Sequence, residues 1–340
     1  MNPRLRDQFN LLSRFTPRRG LNALRIWSSY HLSRLFRSNL HWGMPVSVAI
    51  EPTTSCNLRC PECPSGLRAF SRPTGMIDQS SFRKIIDELY RDIVYLTFYF
   101  QGEPYLNPHF LQMVRYANGK NIYTSTSTNA HYLDEEKARE TVESGLDRLI
   151  ISIDGTTQEA YQSYRVGGRL AQVISGTKNI IRWKKILRSR TPLVVFQFLV
   201  VRPNEHQVPE LLRLAAKLGV DDVQFKTAQV YDHANGHALI PRNEDYSRYR
   251  KNADGTYSIK NKMEDHCWRM WQSCVITWDG KVVPCCFDKD AAHRLGDLRE
   301  RTFRSIWKSR PYGDFRASVL RARSAITICR NCSEGSMVWA

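Results

Sequence analysis

Along the chain, short apolar runs alternate with stretches in which apolar residues recur every three or four positions. The runs at 46–51, 95–100, 122–128, 148–153, 193–200 and 222–227 are rich in β-branched and aromatic residues and predict strands. Helical periodicity fills the gaps, near 78–91, 107–118, 134–144, 170–187 and 206–218. Gly145 and Gly219 fall just past two of these helices, where an open backbone is useful. Repeated strand–helix units read as a parallel sheet covered by helices. Eight units would close a full barrel, so six predict an α/β fold, a partial (β/α)6 TIM-like barrel. In such a sheet the residues just after each strand collect at one rim and form the active site.

The pattern changes on either side of this core, which is expected over 46–228. Within residues 1–45, Leu21, Leu24, Trp27, Leu32, Leu35 and Phe36 predict an amphipathic helix with basic residues on its other face. Such a helix either packs along the main domain or lies on an anionic membrane surface. Residues 229–266 are polar and read as a bridge with little regular structure. From Cys267 to residue 340 a small C-terminal cysteine-rich module is expected, with a hairpin over 275–278 and 281–283 turning at Asp279-Gly280.

Composition narrows the function classes. Hydrophobic residues make up 42% of the 340 and charged ones 24%, which favours a packed core over bulk disorder. No apolar run approaches the ~20 residues that span a bilayer, and no secretory signal is recognisable, so a cytoplasmic protein, peripheral to the membrane at most, is expected. The net charge is +17, with eight arginines against the single acid Asp7 in the first 45 residues. That balance favours anionic partners or substrates, or is simply a solvated basic surface. No nucleic-acid-binding motif is visible.

The nine cysteines fall into two sets, three at 56–63 and six between 267 and 332. In a reduced compartment, clustered cysteines are more often metal ligands than disulfides. Cys56, Cys60 and Cys63 have the spacing C-x3-C-x2-C. Three thiolates in one loop can ligate three irons of a 4Fe–4S cube and leave the fourth iron open. The alternatives are a zinc site lacking a nearby fourth ligand, or buried free thiols.

This loop after a first strand resembles the hallmark of the radical S-adenosylmethionine (SAM) superfamily. The resemblance covers about residues 46–228. It implies a SAM-binding 4Fe–4S cluster on Cys56, Cys60 and Cys63, and reductive SAM cleavage to methionine and a 5′-deoxyadenosyl radical that takes hydrogen from substrate. Gln101-Gly102-Glu103-Pro104 resembles the family's Gly-Gly-Glu-Pro, with Gln101 replacing the first glycine; Gly102 and Glu103 would meet the SAM amino group. Asn129, in Thr128-Asn129-Ala130, and Ser152 and Asp154, in Ser-Ile-Asp-Gly, resemble segments near cofactor and substrate; local turn capping is the alternative for each. Arg165 either holds an anion or is a surface arginine. Glu62 departs from the family, where an aromatic residue often precedes the third cysteine and packs near the adenine.

The second set, Cys267-x6-Cys274-x10-Cys285-Cys286-x42-Cys329-x2-Cys332, resembles the SPASM/twitch extensions that hold auxiliary 4Fe–4S clusters. One auxiliary cluster on Cys267, Cys285, Cys329 and Cys332 is expected, with Cys274 in reserve as a ligand or a buried thiol. Cys286 should point away, toward core or active site. Structural zinc is the alternative. The resemblance implies an oxidoreductase that dehydrogenates a small molecule such as a sugar or aminocyclitol, or else a peptide-modifying maturase. A non-catalytic metal scaffold is the third reading. An electron donor such as flavodoxin or ferredoxin is implied. No general acid or base stands out; Asp232, His233, His237 and Asp288 occupy plausible regions.

Overall fold

Six parallel strands form the body of the sheet: β1 (Ser47–Ile50), β2 (Tyr95–Thr97), β3 (Tyr123–Thr128), β4 (Arg148–Ser152), β5 (Leu193–Val200) and β6 (Asp222–Thr227). A computed structural model describes residues 2–335; Met1 and residues 336–340, the end of the expected C-terminal module, lie outside the described residues. Two N-terminal helices, α1 (Pro3–Leu12) and α2 (Pro17–Phe36), precede the sheet. The helices that follow are α3 (Pro64–Leu67), α4 (Gln79–Leu89), α5 (Phe110–Gly119), α6 (Glu135–Glu143), α7 (Gln158–Tyr164), α8 (Leu170–Ile186) and α9 (Val208–Leu218). The inner layer is built from Val48, Leu96, Leu149, Val194 and Phe196, covered by Phe82, Ile86, Val114, Val173 and Leu211 from the helices. Burial of nearly every residue of β4 and most of β5 explains why these two strands carry apolar runs rather than alternation.

The partial barrel and C-terminal module of the sequence reading are both present, but they share one sheet. After α10 (Trp268–Gln272), β9 (Ser273–Ile276) pairs in parallel with β1, in register from Ser47 opposite Ser273 to Ile50 opposite Ile276. Two further strands, β10 (Lys281–Val283) and β11 (Gly296–Asp297), extend it antiparallel. The order is β11-β10-β9-β1-β2-β3-β4-β5-β6. Gly280 turns the hairpin at φ +82°, a left-handed conformation that glycine adopts without strain. Helices α11 (Phe303–Trp307) and α12 (Arg310–Ala322) close the module.

Two expectations are corrected. The bridge contains an antiparallel pair, β7 (Tyr249–Lys251) and β8 (Tyr257–Ile259). Its Val230, Leu239, Ile240 and Tyr249 pack on Leu58 and Cys60, so a polar composition conceals a small core over the cysteine loop. At the N-terminus two helices form where one was expected, because Thr16 caps and Pro17 opens the second. Helix α2 packs along the main domain, but through Arg19, Asn22, Ile26, Ser29, Tyr30 and Ser33. The expected apolar face is turned outward, with Leu21, Leu24, Trp27, Leu35 and Phe36 exposed and Leu32 half-buried.

Polar side chains won this position because the starts of the strands offer unpaired backbone groups. Arg19 donates to the carbonyls of Tyr90 (2.6 Å) and Asn121 (2.5 Å), and Asn22 to that of Met44 (2.9 Å). On α1, Arg4 pairs with Asp222, and Asp7 meets both Tyr123 and Arg148. Both helices therefore seal the N-terminal ends of the strands, opposite the rim where the site lies.

Candidate functional site

The site residues of the barrel lie at or beyond the C-terminal ends of its strands. The loop after β1 is held first by the buried Glu51, whose carboxylate pairs with Arg72 (Nη1–Oε2 2.9 Å) and accepts from the backbone N–H of Trp278 (3.2 Å). That contact ties the loop to the C-terminal hairpin. Cys60 is buried, and Cys56 and Cys63 half-buried. The Cys56 sulfur accepts from the Leu58 N–H (3.4 Å), Arg165 Nη1 lies 3.8 Å from the Cys60 sulfur, and Cys63 lies 3.8 Å from Gln101 Oε1. Burial pushes the Cys56 thiol up to about 11 and raises Cys60 as well, against the guanidinium of Arg165. Forming thiolates here would therefore be costly unless a bound metal supplied the difference.

The turn after β2 is sewn to this loop. Gly102 has φ +76°, and a Cβ on it would lie 2.8 Å from the Ser55 carbonyl oxygen and closer still to that of Thr53. Its N–H donates to Ser65 Oγ (2.9 Å), and the Glu103 N–H donates to the Ser55 carbonyl (2.8 Å). The Glu103 carboxylate accepts from Thr128 Oγ1 (2.7 Å) and the Asn129 N–H (2.8 Å) at the end of β3. Burial lifts its pKa to about 7 against these hydrogen bonds. A carboxylate held this way gains most from an approaching cation.

Asn129 donates to Asn57 Oδ1 (2.7 Å), and its Nδ2 lies 4.0 Å from the Cys56 sulfur. Asp154 accepts from the Leu199 N–H (2.7 Å) and pairs with Arg165. Ser152 lies deeper, 3.4 Å from Ser127 Oγ. Gly102, Glu103 and Asn129 thus gather around the cysteine loop, whereas Asp154 reaches it through Arg165. The sequence had left Arg165 between anion holder and surface residue. It sits 17% exposed between Asp154 and Cys60, which no local pattern announces. Asn57 and Gln101 were likewise missed as contacts, although both stand inside or beside recognised motifs.

Glu62, the departure from the usual aromatic, accepts from the Tyr231 N–H (3.0 Å) and faces His237 Nε2 at 3.8 Å. It clamps the bridge over the loop. Of the other polar candidates, Asp288 accepts from the N–H groups of Ala292 (2.8 Å) and His293 (2.9 Å), and His233 stacks on Tyr249. Asp232 is exposed. Each therefore has the surroundings of an ordinary loop residue.

In the C-terminal module, Cys267, Cys329 and Cys332 are buried and Cys285 half-buried. Arg323 Nη2 donates to the Cys332 sulfur (3.3 Å), and its charge also acts on Cys267 and Cys329. Burial raises Cys285 well above its usual value and Cys329 to about 11, the latter against Arg323. The field of Cys285 comes first from Cys286 and then from Cys267 and Cys332, and that of Cys329 from Cys267 and Cys332, so Cys286 shares one neighbourhood with the four expected thiols. Cys274 stands apart on β9, buried beside Tyr312 and Arg316. Cys286 is exposed rather than turned into the core, beside Arg269 and Glu334, because the chain bends at Cys285. Among the described residues, no three His, Cys, Asp or Glu side chains are close enough together to hold a single metal ion.

All nine cysteines are free. A soft, all-thiol donor set at the catalytic rim of a partial barrel, with a second set in an appended module, defines the class of iron–sulfur enzymes. Comparison with known families agrees: residues 50–215 match the radical SAM superfamily and residues 267–333 match SPASM, an iron–sulfur cluster-binding domain. The chain belongs to the radical SAM superfamily and carries a SPASM domain. Its cofactors are SAM, a 4Fe–4S cluster and auxiliary iron–sulfur.

The chain is 27% identical over 311 residues (84% of this chain, 86% of the relative) to a tungsten-containing aldehyde ferredoxin oxidoreductase cofactor-modifying protein of Pyrococcus furiosus. It is 28% identical over 262 residues (72% and 68%) to a PqqA peptide cyclase of Rhodopseudomonas palustris. Among solved structures, its fold is similar to Streptococcus suis SuiB bound to precursor peptide SuiA (TM-score 0.62, 16% identity, 89% and 72% covered). It is also similar to BtrN in complex with AdoMet and 2-DOIA (TM-score 0.53, 17% identity, 86% and 95% covered).

Proposed function

We propose that this enzyme oxidatively modifies a peptide by abstracting a hydrogen atom from it. When bound, the cluster and SAM supply the 5′-deoxyadenosyl radical. Cys56, Cys60 and Cys63 would hold three irons of that cluster and leave the fourth for SAM. Glu103, made reactive toward cations by burial, would receive the SAM ammonium group, with Gly102 allowing the backbone approach. Asn129 would orient the Cys56 side of the loop. Asp154 would position Arg165 beside Cys60, and Ser152 would line the floor nearer β4. Cys267, Cys285, Cys329 and Cys332 would hold the auxiliary cluster, which suits an oxidation because it can accept the electron left on the substrate. The observation that carries the reading is the pairing of β9 with β1, which makes one sheet of the two cysteine-bearing units. A peptide as substrate is supported by the likeness to PqqA peptide cyclases. A reducing partner such as flavodoxin or ferredoxin would feed the first cluster.

A second reading, dehydrogenation of a sugar or aminocyclitol, is favoured by one observation. Helices α1 and α2 are locked to the strand starts, so the N-terminal segment does not stand at the rim to bind a peptide. The test is anaerobic reconstitution with iron and sulfide, followed by 5′-deoxyadenosine release against peptide and cyclitol panels. Two clusters give about eight irons per chain. Alanine at Cys267, Cys285, Cys329 and Cys332 should leave about four irons, retain SAM cleavage and abolish the oxidised product. Full product turnover in that variant would overturn the oxidative reading, and a cyclitol product would replace the peptide one.

A further inference from the structure

Ten of the eighteen exposed large apolar side chains found among the described residues fall within the first 42 positions. Isolated exposed apolar residues are ordinary, but a concentration of this kind marks a contact surface. On α1, Leu5, Phe9 and Leu12 follow helical spacing, one face of the helix. On α2, at about 100° per residue, Leu21, Leu24, Trp27, Leu35 and Phe36 fall within an arc of about 180°. Leu35 is 73% exposed, Phe36 64% and Trp27 44%. The docked residues of α2 occupy the opposite side of the wheel. This apolar face was therefore not required to hold the helix in place; hydrogen bonds to strand-start carbonyls and the buried Ile26 and Tyr30 do that.

Charge indicates what covers the face. Arg25 and Arg34 lie near the two edges of the α2 arc, and Arg37 follows its C-terminus. All three are exposed, and among the described residues none has an ion-pair partner. The single acid of the segment, Asp7, is buried and committed to Tyr123 and Arg148. A second copy of this chain would bring these arginines together with no carboxylate on the same segment to offset them. Anionic headgroups supply that charge, and the acyl boundary takes the Leu, Phe and Trp side chains.

We propose that α1 and α2 lie in the interface of an anionic lipid bilayer, docked by their outward apolar face. Because both helices seal the N-terminal ends of the strands, the cysteine-bearing rim points away from the lipid, and substrate and reductant arrive from the aqueous side. The proposal is independent of which substrate the enzyme modifies.

Cosedimentation of the full-length reconstituted protein with vesicles tests it. The protein is expected to bind vesicles containing phosphatidylglycerol and to be released as salt is raised. It should leave vesicles of phosphatidylcholine alone largely unbound. Leu24→Glu with Leu35→Glu, and separately Arg25→Glu with Arg34→Glu, should each lower binding about tenfold. Both changes are at exposed positions, so the melting temperature and SAM cleavage should stay at the wild-type level. Equal binding to neutral vesicles, or none to anionic ones, overturns the proposal. So does a dimer in solution that the leucine changes dissociate, which would assign the face to a second copy.

Discussion

Glu103 is a buried carboxyl whose proton is coupled to folding. Its folded pKa, raised by burial to about 7, exceeds the ordinary 4.5. A raised acid binds its proton more tightly in the folded state, so its stabilising contribution is complete below about 4.5 and is lost as pH rises through about 7. Glu103→Gln removes this dependence. In SAM-free protein the variant should gain stability relative to wild type between pH 5 and 8, on the order of 3 kcal/mol, read by thermal unfolding at both pH values. The same change should weaken SAM binding by about 1.5–3 kcal/mol, measured by calorimetry, since a charged hydrogen bond is lost. Gly102→Ala places a methyl group against the Thr53 and Ser55 carbonyls at a left-handed φ. It should cost about 2–4 kcal/mol and lower the iron bound per chain. Both residues were legible in the sequence through their motif. Arg165 was not legible as a neighbour of Cys60, since 105 positions separate them.

Among the elements, α2 illustrates how a local pattern can mark the wrong face as the docked one. Apolar periodicity located the helix and its amphipathic character, yet burial went to the face carrying Arg19 and Asn22. Arg19 satisfies carbonyls on two inter-element turns at once, Tyr90 before β2 and Asn121 before β3. Arg19→Ala should destabilise the protein by about 2–4 kcal/mol, because several buried acceptors lose their donor together. Arg19→Lys should recover less than half of the loss in a denaturant titration, since an ammonium group cannot reach both turns in the way a planar fork does. The six core strands were read within a few residues, because runs of β-branched and aromatic residues are a chain-local signal. The pair β7 and β8 escaped notice, since three-residue strands with partly exposed side chains leave almost no periodic signal.

At the scale of the whole molecule, the continuous sheet makes the C-terminal module part of the core rather than an accessory. Truncation after residue 266 would strip the edge of β1 of its parallel partner β9 and remove Trp271, uncovering the fully buried Tyr30 that packs against it. The truncated chain should be insoluble or fail to show a cooperative melting transition, unlike the four-alanine variant, which keeps the strands and loses only thiols. A soluble truncated chain that still binds four irons would show the two units to be independent.

The sequence by itself determined the strand–helix alternation, the two cysteine sets and the motifs that follow the strands. These depend on period, spacing and chain-local chemistry, which survive in one dimension. Only the tertiary structure decided that the two cysteine-bearing units share a sheet, that Arg165 stands against Cys60, and that α2 turns its apolar face to solvent. Each of these rests on backbone donors, acceptors and charges brought together from distant parts of the chain. The free energy of such contacts depends on what else reaches the same place, which no local pattern encodes.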